Sequence, residues 1–496
     1  MSRLPVWLCV TLCLLSSSAV QAQPMPAGGH AAGQRPGVAN PPRPGLPKSA
    51  TPGTPAAAGN RTAPRSPARP GVSEDKMEPV DREKLPESYL PPRPTLPEVT
   101  LEKEWDYNPF PERQRNGQLS KYRELLRRGE FSPGDDTRKA EEKLLRDVVR
   151  MKLAAFTKKE NRDNIPDLRQ KFLTDLKFTG PRPETKREVR QEMLKLILAD
   201  VEELMKYQLV VRINGVILLT ELNEFEPDGN SGAPAVAYVD AYPLLSKILD
   251  DETQPDAVRV WAASGLTRIL NVSELKALVR YKIVEVLVRN AERSRKYSLW
   301  LQYRLTEALG STQVLENQER NLVVAQTLAK TLVDTERPLI VRVEAAYGFS
   351  RLPLTDKIDM RQLAVEVARL TSEVATAYRK EKPSALWNVT MMKLYATFKP
   401  VDEPELKKNW GLLTQVASSK FNAVRPEVTE AFNVVLPVVR SVVGKPNDKA
   451  LVAATAALDE WLKKYPPTEK SFVSGMGPIR EKAATTGGPA GKPMGG

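Results

Sequence analysis

The stretch LLSKILDDETQPDAVRVWAASGLTRI, residues 244–269, decides the fold. It returns 83 residues later as TLAKTLVDTERPLIVRVEAAYGFSRL, residues 327–352. At that single offset Leu245 matches Leu328, Lys247 Lys330, Leu249 Leu332 and Asp251 Asp334. Pro255 matches Pro338, and Val258-Arg259-Val260 matches Val341-Arg342-Val343. Ala262 and Ala263 match Ala345 and Ala346, Gly265 matches Gly348, and Arg268 matches Arg351. The order is an apolar helix, an Asp turn, a Pro, then Val-Arg-x-x-Ala-Ala. An internal repeat of this length predicts stacked supersecondary units.

This pattern resembles the HEAT repeat family. The resemblance implies an all-α fold, a right-handed alpha-alpha solenoid with two antiparallel helices per unit. It implies little about function. Further Val-Arg-like starts at Val211 and Val424 give spacings of 47, 83 and 83 residues. Each larger gap has room for one degenerate unit, with second helices near Leu299-Trp300-Leu301 and Leu386-Trp387-Asn388. First helices are expected near residues 273–290, 318–333, 359–381 and 403–418, and a last helix at 448–464.

Working outward, five segments are expected. Residues 1–22 read as a secretory signal peptide: Arg3, an apolar run at 6–15, and Val20-Gln21-Ala22 before the cut. The run is too short to span a bilayer. Residues 23–100 form a disordered Pro/Ala/Gly-rich tether, since residues 23–97 hold 18 of the 42 prolines. Residues 101–180 make a helical cap, 181–465 the repeats, and 466–496 a flexible C-terminal tail. Prolines at Pro400 and Pro437 predict kinks in the late helices.

Composition removes several kinds of chemistry. Both cysteines, Cys9 and Cys13, lie in the leader, and the one histidine, His30, lies in the tether. Ser-His-Asp and Cys-His catalysis then have no base in a folded part, and zinc sites on His or Cys have no ligands. No phosphate-cradling Gly loop is present. Some proteins with HEAT-like repeats are lyases acting on cofactor-bearing partners. Here acids and lysines would carry all the chemistry, and no pair of them stands out. The expectation is a non-enzyme without cofactor or metal. The loop at 226–234 carries Asp228, Asn230 and Ser231, but it lacks the Glu that completes a calcium loop.

Rotating about 100° per residue from the Val of the second helix, positions 0, 4, 8 and 11 form one apolar face. For the first repeat these are Val258, Ala262, Leu266 and Ile269. Positions 2 and 5, Val260 and Ala263, form a strip toward the neighbouring unit. Arg259 and Arg342 are expected to bond the turn Asp or adjacent helix ends. Positions 3, 6 and 10 make a third face that nothing in the array needs to cover. Trp261, Arg268, Tyr347 and Arg351 lie there and are the candidate partner-binding residues, because aromatic and Arg side chains are enriched in interfaces.

The formal charge of +13 falls to +12 when Arg3 leaves with the leader. Arg35, Arg43, Arg61, Arg65 and Arg69 give the tether a basic arm with no acid before Glu74. Two functional readings follow. One is an exported scaffold or adaptor, in the periplasm, cell envelope or extracellular space, that holds another protein on its concave helical face. The other is an envelope-associated binder of an anionic polymer through the arm.

Overall fold

The computed structural model describes residues 104–179, 187–228, 231–381, 384–400, 410–443 and 446–480. The expected leader, the tether with the arginines of its basic arm, and residues 481–496 lie outside the described residues. Within them the fold is all-α, with sixteen α-helices and one two-stranded antiparallel sheet.

The motif explains how each unit is built. The helices α6 (Tyr242–Asp250) and α7 (Asp256–Val272) form one copy, and α10 (Val323–Val333) and α11 (Leu339–Arg351) the other. In the turn, Asp251 accepts the amide of Thr253 at 2.9 Å, and Asp334 that of Glu336 at 3.2 Å. Each Asp thus folds the turn through its own backbone, which Asp side chains favour. Pro255 and Pro338 then sit at the N-caps of α7 and α11 with ψ of 143° and 138°. Their carbonyls accept the amides of Val258 and Val341, each at 2.9 Å.

The buried arginine is the tie between units. Arg259 Nε donates to the carbonyl of Leu249 at 2.9 Å, and Arg342 Nε to that of Leu332 at 2.9 Å. Both carbonyls stand in the last turn of a first helix, where backbone acceptors lack intrahelical donors. The same guanidiniums reach the next first helix: Arg259 to Asn290 on α8 (Ala277–Glu292), Arg342 to Glu373 on α12 (Met360–Lys380). Asn290 and Glu373 are themselves 83 residues apart. The helix-end bond was expected; the direct bond to the turn Asp is not what the described contacts show. Lys247 and Lys330 add a second tie, reaching back to Glu202 and Glu292 of the preceding first helices.

The remaining helices continue this plan. Before the motif lie α1 (Glu112–Arg128), α2 (Asp135–Ala154), α3 (Ile165–Lys177), α4 (Glu188–Leu204) and α5 (Leu209–Glu221). After it come α9 (Leu299–Gly310), α13 (Ala385–Phe398), α14 (Leu412–Val416), α15 (Arg425–Val442) and α16 (Asp448–Leu462). Second helices pack in series, α3 on α5, then α7, α9, α11, α13 and α15. Among the first helices α2 packs on α4, α6 on α8, and α8 on α10. The region read as a cap thus feeds both rows, through α2 and α3. Val258, Ala262, Leu266 and Ile269 are buried between α7 and its neighbours, as are Val260 and Ala263. Complete burial stabilises a Val or Leu side chain by about 1.5–3 kcal/mol relative to exposure.

The glycines of the motif mark close approaches. A Cβ on Gly310 would stand 2.6 Å from Gly348 Cα, where α9 crosses α11. A Cβ on Gly265 would meet Leu245 Cδ1 and Thr220 Oγ1, both at 2.8 Å. Those are side-chain ends that can turn aside, whereas a backbone atom cannot. Gly310→Ala is therefore expected to cost about 1–3 kcal/mol, and more than Gly265→Ala, in urea denaturation. Equal costs would show that α9 and α11 separate freely.

The C-terminal end departs from expectation. Within the first helix anticipated at 403–418, the described residues form the short α14, and residues 401–409 lie outside the described residues. The last helix, α16, packs on both α12 and α15. Pro437 sits within α15 on its exposed side, and the helix runs through it. The described part of the tail is not the flexible extension predicted for 466–496. Phe472 and Val473 are buried. The Asp359 amide donates to the Phe472 carbonyl at 2.8 Å, and the Ser474 amide to Lys357 at 2.9 Å. The Phe472 ring meets Phe349 edge-on at 5.6 Å, and Arg480 bonds the buried Glu366 with both terminal nitrogens. Two apolar side chains, two backbone hydrogen bonds and one ion pair fix this segment, which composition alone read as loose.

Candidate functional site

The third face of the second helices is where the sequence placed its candidates. On α7 this face begins with Trp261, whose ring is half-buried and whose carbonyl accepts from Thr220 Oγ1 at 3.3 Å. On α9 the half-buried Trp300 follows, edge-on to Tyr303 at 6.3 Å. On α11 the half-buried Tyr347 carries Arg351 at 5.5 Å and Lys393 at 5.3 Å from its ring centre. Consecutive second helices therefore present partly accessible aromatic rings.

The two candidate arginines do something else. Arg268 donates to the carbonyls of Thr220 at 3.1 Å and Leu222 at 3.2 Å, and to the Asn223 side chain. These acceptors close the C-terminal end of α5, so Arg268 is a cap on the preceding second helix. Burial pulls its guanidinium below the usual range. Arg351, its counterpart in the repeat, donates to the Ser311 hydroxyl at 2.9 Å, just beyond the end of α9. It also lies 4.9 Å from the Trp410 ring centre. Both candidate guanidiniums thus have partners inside the fold, Arg268 at a helix end and Arg351 at a serine hydroxyl. Trp261 and Tyr347 remain as the candidate contacts.

The face is also less open than a bare helix surface. Glu344, at position 3 of α11, is completely buried, although nothing was expected to cover that position. It is covered by Lys393 from α13, whose ammonium bonds both the Glu344 carboxylate and the Tyr303 hydroxyl. The ammonium also stands 4.9 Å from the centre of the Tyr303 ring. Beside them Arg304 pairs with Glu307 on α9. Burial pushes the Tyr303 phenol well above its ordinary range. Sequence reasoning missed Tyr303, Arg304, Glu307 and Lys393 because they sit in the two degenerate units. Counting from Leu301 and Trp387 as position 0 places Arg304 at 3, and Glu307 and Lys393 at 6. That count was available once those two helices were located.

The loop at 226–234 joins a short hairpin, β1 (Asn223–Phe225) and β2 (Val236–Ala237), with residues 229–230 outside the described residues. Ser231 Oγ donates to Asp228 at 2.7 Å. Among the described residues no group of three or more His, Cys, Asp or Glu side chains gathers for a metal ion. No described helix is long and apolar enough to cross a membrane.

No family model matches the chain, and neither a curated protein nor a solved structure does. The site's own geometry therefore carries the functional argument.

Proposed function

We propose that this chain is an exported, non-enzymatic scaffold or adaptor, a solenoid of HEAT-like repeats that binds another protein along its second helices. The observation that carries this reading is the series Trp261, Trp300 and Tyr347. These rings stay partly accessible on successive helices while the neighbouring polar groups are engaged within the fold. Partly exposed aromatics in a row are what interface anchors look like before a partner covers them. The ties repeated at one offset, from Arg259 to Leu249 and from Arg342 to Leu332, support the solenoid reading. Export rests on the leader sequence at residues 1–22.

The partner is expected to be captured by a photo-reactive phenylalanine analogue placed at Trp261, in the native envelope fraction. The same group at Glu285, on the first helix α8, serves as the control and is expected to capture nothing. Trp261→Glu is expected to change stability by at most about 1 kcal/mol, since the ring is only partly covered. The same change should weaken partner binding by about 2 kcal/mol or more. Capture from Glu285 alone would sink the reading. The second reading, an anionic polymer held by the arm, rests on Arg35, Arg43, Arg61, Arg65 and Arg69. It requires binding that falls steeply with salt and disappears when these become Gln.

A further inference from the structure

Two carboxylates share the polar cluster between α9, α11 and α13, and their surroundings push them apart. Burial opposes the charge on Glu307, but Arg304 and Lys393 outweigh it and hold its carboxyl below the usual range. Glu344 is buried further and touches a single cation, Lys393; its Oε1 accepts no hydrogen bond within the described residues. Burial pushes its carboxyl above the usual range, and Glu307 adds to the rise. Pairs of acids separated in this way have distinct protonation roles.

The groups facing Glu344 are Tyr303, Arg304 and Glu307 from α9, Tyr347 and Arg351 from its own helix, and Lys393 from α13. On the other sides of α11, α12 brings Glu373, held by Arg342, and α10 brings Lys330, paired with Glu292. With both acids ionised the cluster holds three positive and two negative charges, a net +1; a proton on Glu344 makes it +2.

We propose that Glu344 and Lys393 form a proton-operated latch between α11 and α13, which sets the position of Tyr347 on the candidate binding face. The consequence for binding rests on the reading of that face given above; the latch itself does not. Glu344 takes up one proton from solvent, and its carboxylate bond to the Lys393 ammonium is lost. The Lys393 side chain is already 19 % exposed, so it has a path to water. As it turns outward, the Tyr303 and Tyr347 rings lose the cation now 4.9 Å and 5.3 Å from their centres. A carboxyl raised in the fold binds protons more readily there than in the unfolded chain. Through this group the native state is therefore favoured below the ordinary glutamate value of about 4.3, and loses that advantage as pH rises through the raised value. The transition on acidification is thus a local change within the folded protein.

Two indoles report it, Trp300 beside Tyr303 and Trp410 beside Arg351. Tryptophan emission of the full chain is titrated from about pH 8 to about pH 4.5, with far-UV circular dichroism recorded in parallel. The expected result is a one-proton step above the ordinary glutamate value of about 4.3, at constant helix content, that is absent in Glu344→Gln. A step that persists in Glu344→Gln, or no step in the wild-type chain, overturns the latch. If Glu344→Gln does not fold, Lys393→Met is the second variant. It removes the ammonium whose release the indoles report, so the step is expected to disappear; a step that persists overturns the latch. No partner takes part in this titration, so its failure leaves the binding reading standing, and a failed capture at Trp261 leaves the latch standing.

Discussion

Arg190→Met is expected to destabilise the folded protein by about 3–5 kcal/mol, the cost of removing one partner from a buried charged network. Arg190 stands in the first turn of α4 and is 1 % exposed. Its guanidinium donates to the carbonyls of Leu176 at 2.6 Å, Asn223 at 2.6 Å and Glu224 at 3.0 Å, and to Glu226 at 2.7 Å. One side chain thus joins the end of α3 to the strand β1. Met fills a similar volume but leaves three carbonyls and a mostly buried carboxylate without that donor, and each unmet buried group costs free energy. Arg190→Lys should recover little, because a single ammonium cannot span acceptors arranged for a planar fork. The measurement is the urea midpoint at unchanged slope, which isolates stability from changes in the unfolded state. A loss below about 1 kcal/mol, typical of a surface site, would show that this network is idle.

Phe472→Ala is the second large effect. Truncating a buried Phe costs about 3–5 kcal/mol where the neighbours cannot collapse onto the space. Here the ring packs on Phe349, which belongs to α11, while Phe472 belongs to the segment after α16. The measured loss is bounded by the free energy with which that segment docks, because local opening relieves the cavity. Hydrogen exchange separates the two outcomes. If the segment opens, the amides of Asp359 and Ser474, which bond across the contact, exchange faster while the amides of α7 keep their protection. Unchanged exchange at Asp359 and Ser474, with no change in stability, would restore the reading of 466–480 as a loose tail.

Much of the helical plan was legible because it is written in local spacing. Val258, Ala262, Leu266 and Ile269 fall on one side of a helix whatever the chain does elsewhere, and the same holds for the strip of Val260 and Ala263. The turn Asp and the N-cap Pro act within a few residues of themselves, so their repetition at one offset was enough to place α6, α7, α10 and α11. Gly348 repeats Gly265 at the motif offset, but its close approach to Gly310, in a degenerate unit, was not readable.

The candidate site was legible only in part. Trp261 and Tyr347 stand on the expected face, half-buried. Arg268 and Arg351 share that face by angle, yet their long side chains reach helix ends 40 or more residues away in sequence. Lys393 reaches Glu344 across 49 residues and Tyr303 across 90, and Arg480 reaches Glu366 across 114. The sequence by itself determined helices, repeat and apolar faces, since these follow from backbone periodicity and the burial it imposes. Only the tertiary structure decided which charges meet, because a charge in a low-dielectric interior takes whatever donor or acceptor the packing brings within about 3 Å, and no local spacing encodes that encounter.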